Sequence, residues 1–95
     1  MVLAYFSTPQ CNVCKVLRPK VESALAEHYP AVRFIYVDTT AIPEVAGQLS
    51  IFAVPTIVLF VEGRESVRKS RNFAMDELLA AIDRPYGFLF GDEST

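Results

Sequence analysis

Apolar residues in the first third of the chain form one short run and one periodic stretch. Residues 2–6 are apolar throughout, which is typical of a strand buried on both faces of a sheet. From Asn12 to His28 apolar residues recur at intervals of three and four, which predicts an amphipathic helix, and we expect Pro19 to kink it. The apolar positions of this predicted stripe are Val13, Val16, Leu17, Val21, Ala24 and Leu25.

The middle of the chain predicts two strands on either side of a short helix. Residues 32–38 are rich in β-branched and aromatic side chains and predict a strand that is apolar enough for the interior of a sheet. Pro43 is expected to begin a helix that ends near residue 49. Residues 56–61 then predict a third buried strand.

The last third of the chain predicts a hairpin and a helix. The dipeptide at residues 62–63, Glu-Gly, supplies a turn into a fourth strand at residues 65–70, whose charges suit the edge of a sheet. A final helix is expected over residues 75–83, with Pro85 beyond its end. The residues expected to face inward from this helix are Leu78, Leu79 and Ile82.

The predicted order of elements defines the fold class. Alternating strands and helices followed by a hairpin and a helix predict an α/β fold, in which one mixed sheet carries helices on both faces. The first two strands should pair in parallel through a right-handed crossover. With 95 residues, 52% of them hydrophobic, the chain can form one compact domain, which we assign to residues 1–84. Residues 85–95 are assigned to a C-terminal tail, in which Phe88, Leu89 and Phe90 are expected to cover an apolar surface of the same domain; a dimer or partner contact is the alternative.

Charge and hydropathy give no argument for a nucleic-acid or membrane partner. The formal net charge is −2 and the basic residues are scattered, so we expect no nucleic acid to bind. The apolar run at residues 52–61 is too short to cross a bilayer and contains a proline, so we expect a soluble chain without a membrane partner. The N-terminal residues show neither a basic leader nor a small-residue cleavage site, and a cytoplasmic location is therefore the default expectation.

The candidate chemistry lies in Cys11 and Cys14, within the segment PQCNVCKVLRP at the start of the first predicted helix. Unpaired N–H groups at a helix N-terminus favour a thiolate, and Cys11 gains most from them. A structural staple is a weak explanation, because closing so short a loop contributes only about 2 kcal/mol. A zinc or iron–sulfur site would need the pairs of two chains, since the sequence has one histidine, His28, which we interpret as an ordinary residue at a helix end. We expect neither a metal nor a cofactor.

Four features of the sequence together resemble the thioredoxin family. They are the C-x-x-C-K segment followed by Pro19, the Ala-Val-Pro-Thr segment at residues 53–56, the strand that begins at Thr56, and the Glu-Gly turn behind it. The similarity extends from Val2 to about Ile82. It implies a thioredoxin-like fold, with a four-stranded mixed sheet flanked by three helices.

The resemblance also implies a function and a site. It implies a thiol–disulfide oxidoreductase that reduces protein disulfides through a redox-active disulfide between Cys11 and Cys14. Pro55 would be a cis-proline beside the cysteines, and the backbone of Val54 would pair with an extended substrate segment. The implied partners are protein disulfides and an electron-donating reductase or low-molecular-weight thiol. A binding module with little turnover and a glutaredoxin-like, glutathione-linked activity are the alternatives.

The sequence departs from the thioredoxin pattern at the residues around the cysteines. Tyr5 stands where the family usually has a buried Asp that takes the proton of the second thiol, and a phenol with a pKa near 10 is a poor base at neutral pH. We therefore expect the second step to be slow or to rely on water. Gln10 replaces the usual Trp, and Lys15 is interpreted as a solvent-exposed residue without a catalytic role.

Two further departures concern the extent of the fold and the surface that would receive a substrate. The strand and helix that precede the cysteines in a full thioredoxin are missing from the predicted order of elements. Arg71 falls near a position where thioredoxins tend to have a glycine that flanks the substrate groove, which affects how partners would dock.

Overall fold

In the part of the chain that the structure describes, four strands and three helices follow one another in the predicted order. The structure is a computed structural model that describes residues 1–51, 53–70 and 73–90; Arg71 and residues 91–95 lie outside the described residues. The elements are β1 (Val2–Ser7), α1 (Asn12–His28), β2 (Arg33–Asp38), α2 (Pro43–Gln48), β3 (Thr56–Val61), β4 (Arg64–Ser70) and α3 (Met75–Phe90). The prediction of a four-stranded mixed sheet flanked by three helices is thus confirmed.

The sheet has the strand order β2-β1-β3-β4. The strands β1 and β2 pair in parallel, from Val2 opposite Arg33 to Ser7 opposite Asp38, as the crossover through α1 requires. The strand β3 runs antiparallel to β1 and to β4. Glu62 and Gly63 form the hairpin turn with φ of 52° and 81°, the left-handed conformation that two-residue hairpin turns need.

The strand β2 lies at one edge of the described sheet, and the prediction that it occupies the interior is wrong. It pairs with β1 on one side, and the side chains of Ile35 and Tyr36 are 40% and 38% exposed. The prediction failed because β-branched and aromatic residues indicate that a segment forms a strand, but they do not determine its position among the other strands.

The side chains of β1 alternate between two cores, one on each face of the sheet. Leu3 and Tyr5 point into the core beneath α1 and α3, which also contains Val21 of α1 and Ile82 of α3. Ala4 and Phe6 point into the smaller core of the opposite face, against which the half-buried side chains of α2 pack. The helices therefore cover both faces, and β1 is buried on both sides as predicted.

Helix α3 extends beyond the predicted end at residue 83 and continues through Pro85 to Phe90. The prediction applied the rule that a proline stops a helix, since it removes one backbone hydrogen bond and costs about 3 kcal/mol. Tertiary contacts beyond the proline offset this cost. The ring of Tyr86 packs edge-on against Tyr29 at 4.9 Å between centroids, and the ring of Phe90 lies 4.9 Å from that of Tyr86.

The apolar end of α3 covers its own domain only in part. Phe90 contacts Tyr86, as expected for a segment that packs on the domain, whereas the side chain of Phe88 is 92% exposed. The prediction that all three apolar residues of this segment cover the domain is therefore wrong for Phe88. In a continuous helix, residues two apart point in different directions, so Phe88 and Phe90 cannot both face the core.

Candidate active site

The two cysteines lie at the N-terminus of α1, at the carboxyl end of β1. Cys11 is the N-cap residue, with extended backbone angles, and its Sγ accepts a hydrogen bond from the backbone N–H of Cys14 at 3.2 Å. The backbone N–H of Cys11 donates to the carbonyl of Thr8 at 3.1 Å, which fixes the turn between β1 and α1. A sulfur thus occupies the place where a helix usually has a serine or aspartate oxygen.

Cys11 and Cys14 are joined by a disulfide, with their Cα atoms 5.2 Å apart. The two sulfurs have unequal access to solvent. Cys14 is buried, with 2% exposure, and belongs to the core beneath α1, whereas Cys11 is half-buried and packs against that core from outside. An incoming disulfide can therefore reach only one residue of the pair directly.

The electrostatic field at Cys11 favours negative charge. The first turn of α1 carries no acidic residue, so no carboxylate opposes the positive end of the helix dipole. The N–H of Cys14, which donates to the sulfur, would stabilise a thiolate in the same way once the disulfide is reduced.

Val54 and Pro55 are joined by a cis peptide bond and directly precede β3. Pro55 is buried and Val54 is half-buried, and the side chain of Val54 packs against the core that contains Cys14. Thr56, which follows Pro55, pairs with Phe6 near the end of β1, and the cysteines follow the same end of β1. The register of the strands therefore places the four predicted site residues at one end of the sheet.

The side chain of Tyr5 makes a direct polar contact with the cysteine pair. Its hydroxyl donates to the backbone carbonyl of Cys14 at 2.8 Å, and the side chain is fully buried. Burial raises the pKa of Tyr5 to about 12, and electrostatic repulsion from the neighbouring Tyr36 is a second, smaller cause. The sequence identified Tyr5 as a poor base, but it gave no signal for this hydrogen bond.

Val13 and Val16 form an exposed apolar surface next to the cysteines. They are 63% and 61% exposed, although the apolar periodicity assigned both to the inward stripe of α1. The buried stripe is instead formed by Cys14, Val21 and Leu25, at intervals of seven and four. With Leu17 as a further lining residue, the two valines border a shallow depression of about 390 Å³.

The other candidate residues take no part in this site. Lys15 is exposed, as predicted. His28 is the last residue of α1 and is exposed, with Glu27 3.9 Å away. Among the described residues, no group of three or more histidine, cysteine or acidic side chains lies close enough together to hold a metal ion.

Comparison with known proteins decides the family. The family model described as Thioredoxin matches residues 1–84 of the chain. The chain belongs to the thioredoxin family. The thioredoxin-like protein YdfQ of Bacillus subtilis is 31% identical over 88 residues, which cover 93% of this chain and 78% of that protein. The thioredoxin of Chlamydia trachomatis is 36% identical over 84 residues, which cover 88% of this chain and 81% of that protein.

Solved thioredoxin structures have the same fold. Thioredoxin 1 of Thermosipho africanus superposes with a TM-score of 0.85 at 27% identity, over 94% of this chain and 98% of that one. The thioredoxin of Fasciola hepatica gives a TM-score of 0.78 at 32% identity, over 87% of this chain and 78% of that one.

Family and site together define the activity. Members of the thioredoxin family act on protein disulfides, and this chain carries the C-x-x-C pair at disulfide distance. The protein is a thiol–disulfide oxidoreductase. None of the helices described for residues 1–51, 53–70 and 73–90 has the length and apolar character needed to span a membrane.

Proposed function

We propose that Cys11 is the attacking thiol and Cys14 the resolving thiol of a cycle that reduces protein disulfides. The observation that carries this assignment is the unequal exposure of two bonded sulfurs within one helical turn, with Cys14 buried and Cys11 half-buried at the N-cap. A thiolate at Cys11 can meet a bulky disulfide, whereas Cys14 can meet only a group that is already attached to Cys11.

The cycle consists of two disulfide exchanges. The thiolate of Cys11 attacks one sulfur of the substrate disulfide; an S–S bond forms between them, and the other substrate sulfur leaves as a thiolate. Cys14 then loses its proton and attacks the sulfur of Cys11. The Cys11–Cys14 bond forms, the bond to the substrate breaks, and the second substrate sulfur leaves. The substrate has gained two electrons and the protein has lost two.

The substrate segment is proposed to lie against Val54 and Pro55. Pro55 is buried at the same end of the sheet as the cysteines and has no N–H, while Val54 is half-buried and precedes β3. An extended segment on either side of the substrate cysteine can exchange backbone hydrogen bonds with Val54, as a strand does at a sheet edge.

This docking mode predicts a dependence on the backbone of the substrate. A disulfide peptide that is N-methylated at the residue next to its cysteine should be reduced with a kcat/KM about two- to tenfold lower than its unmethylated counterpart, the effect of one lost hydrogen bond. Competition assays with the two peptides measure this ratio. A small aromatic disulfide without a peptide backbone serves as the control for intrinsic thiol reactivity. Equal kcat/KM values for the two peptides would contradict docking on Val54.

We further propose that the pair acts as a reductant and is itself reset by an electron-donating reductase or a low-molecular-weight thiol. A cytoplasmic location agrees with this, because both cysteines form the reaction pair and none remains for the structural disulfides typical of secreted domains.

Equilibration of the Cys11–Cys14 pair with glutathione buffers tests the proposed direction. The reduced fraction should follow the ratio of squared glutathione to glutathione disulfide, as required for an intramolecular two-electron couple. The midpoint is expected at a potential more negative than about −260 mV, the lower end of the extraction-based range for the cytosolic glutathione pool. A midpoint near −120 mV, typical of a strong oxidant, would overturn the assignment as a reductant.

A further inference from the structure

Tyr5 connects the centre of the sheet to the resolving cysteine. It lies on β1, fully buried, and its hydroxyl donates to the backbone carbonyl of Cys14 at 2.8 Å. The ring packs against two aromatic residues of β2, with centroids 5.9 Å from Phe34 and 6.3 Å from Tyr36. The guanidinium of Arg18 lies over Tyr36 at 4.2 Å, which covers this aromatic group from the side of α1. The hydroxyl of Tyr5 is therefore held in one place.

The part of α1 that carries Cys14 needs such an anchor. Pro19 lies inside the helix and has no N–H, so the carbonyl of Lys15, four residues earlier, loses its partner within the helix. The first turn of α1 is thus less firmly tied to the rest of the helix than an uninterrupted turn would be. The bond from Tyr5 fixes the adjacent carbonyl, that of Cys14, to the sheet.

Tyr5 itself cannot take the proton of Cys14. Its own proton is directed to the carbonyl, and its pKa of about 12 keeps it neutral throughout the physiological range. The buried polar side chains of the described residues are Ser7 and Thr56, and neither is a base. Every charged side chain of the described residues is half-buried or exposed; those on the elements around Tyr5 include Lys15, Arg18, Asp38, Lys69, Asp76 and Glu77.

We propose that Tyr5 is a positioning residue for the second step of the cycle: its bond to the Cys14 carbonyl sets where the Cys14 sulfur lies relative to Cys11, and the thiol proton leaves to solvent. This inference rests on the proposed resolving role of Cys14. In the step, water or hydroxide takes the proton from Cys14, the thiolate forms the S–S bond with Cys11, and the departing substrate thiolate carries away the electron pair of the broken bond.

Stopped-flow reaction of the reduced protein with 5,5′-dithiobis(2-nitrobenzoate) separates the two steps. Attack by Cys11 releases one coloured thiolate, and attack by Cys14 on the resulting mixed disulfide releases a second. In Tyr5→Phe the first phase should keep its rate, and the second should slow by about two- to tenfold, the effect of one hydrogen bond. Tyr36→Phe removes the same atom from the neighbouring ring, whose hydroxyl makes no hydrogen bond to another of the described residues, and it should change neither phase.

The pH dependence supplies a second, independent readout. With solvent as the proton acceptor, the second phase of the wild-type protein should accelerate about tenfold per pH unit below the pKa of the Cys14 thiol. An unchanged second phase in Tyr5→Phe would overturn the positioning role. A second phase in the wild-type protein that is independent of pH between 6 and 8 would overturn the solvent route, whatever the stability of the variant. Complete absence of a second phase in the wild-type protein would instead show that Cys14 is not the resolving thiol.

Discussion

Replacing Cys11 by Ser should lower the reduction of insulin disulfides by dithiothreitol to the rate without protein. A serine hydroxyl stays protonated at neutral pH and cannot form a disulfide, so the mixed disulfide with the substrate has no site at which to form. The wild-type protein should accelerate the reaction, because Cys11 is accessible at the N-cap of α1 and Cys14 is held next to it. The onset of turbidity from the released insulin chains measures both rates.

The Cys11→Ser variant needs a control that changes α1 without touching the site. Ala26→Ser adds one hydroxyl to an exposed position near the other end of the same helix and should keep the wild-type rate. Circular dichroism of both variants checks that the fold is retained. Wild-type activity in Cys11→Ser would refute the role of Cys11 as nucleophile. A wild-type protein no faster than dithiothreitol alone would favour a binding module over an enzyme.

The second large effect concerns the core that supports the site. Replacing Leu59 by Ala should lower the free energy of unfolding by about 2–5 kcal/mol, a large part of the roughly 5–15 kcal/mol that stabilises a domain. Leu59 is fully buried in β3, opposite Leu3 of β1 and Val67 of β4. The cavity would therefore open in the core beneath α1, the helix that carries the cysteines, and α3. Urea unfolding followed by circular dichroism measures the change.

Val16→Ala provides the matched control for this core substitution. It also shortens an aliphatic side chain, but Val16 is 61% exposed, and the change in unfolding free energy should stay within about 0.5 kcal/mol. Both variants are compared in the oxidised form, so that the Cys11–Cys14 bond constrains each unfolded chain equally. A loss below about 1 kcal/mol for Leu59→Ala would contradict the packing described for β3.

The sequence predicted the elements and the cysteine pair because both depend on local patterns. Six of the seven elements agree with their predicted bounds within one residue, and Pro43 begins α2 as expected. The order of the strands does not follow from local pattern, and the prediction therefore missed that β2 lies at an edge of the described sheet. The end of α3 was missed for a similar reason, because the contacts of Tyr86 with Tyr29 join residues far apart in the chain. The division into residues 1–84 and 85–95 stays a prediction.

Prediction of the site from the sequence is limited in the same way, because only its local features are visible there. Cys11 and Cys14 are neighbours in sequence, so their chemistry was visible in the motif. The exposure of Val13 depends on which face of α1 meets the sheet. Spacings of three and four residues are compatible with more than one apolar stripe on this helix, so they did not identify the buried one. The hydrogen bond from Tyr5 to Cys14 links a strand to a helix, and no spacing rule reports it.

Trapping of the mixed disulfide tests most directly the claim that exposure assigns the two thiols their roles. Cys11→Ser and Cys14→Ser each retain a single thiol, and both are incubated with the same disulfide peptide and analysed by intact mass. Cys14→Ser should gain the mass of one peptide half through Cys11 and hold it, because no resolving thiol remains. Cys11→Ser should stay largely unmodified over the same time, because its remaining sulfur is buried. Equal adduct formation in the two variants, or faster formation in Cys11→Ser, would contradict the assignment.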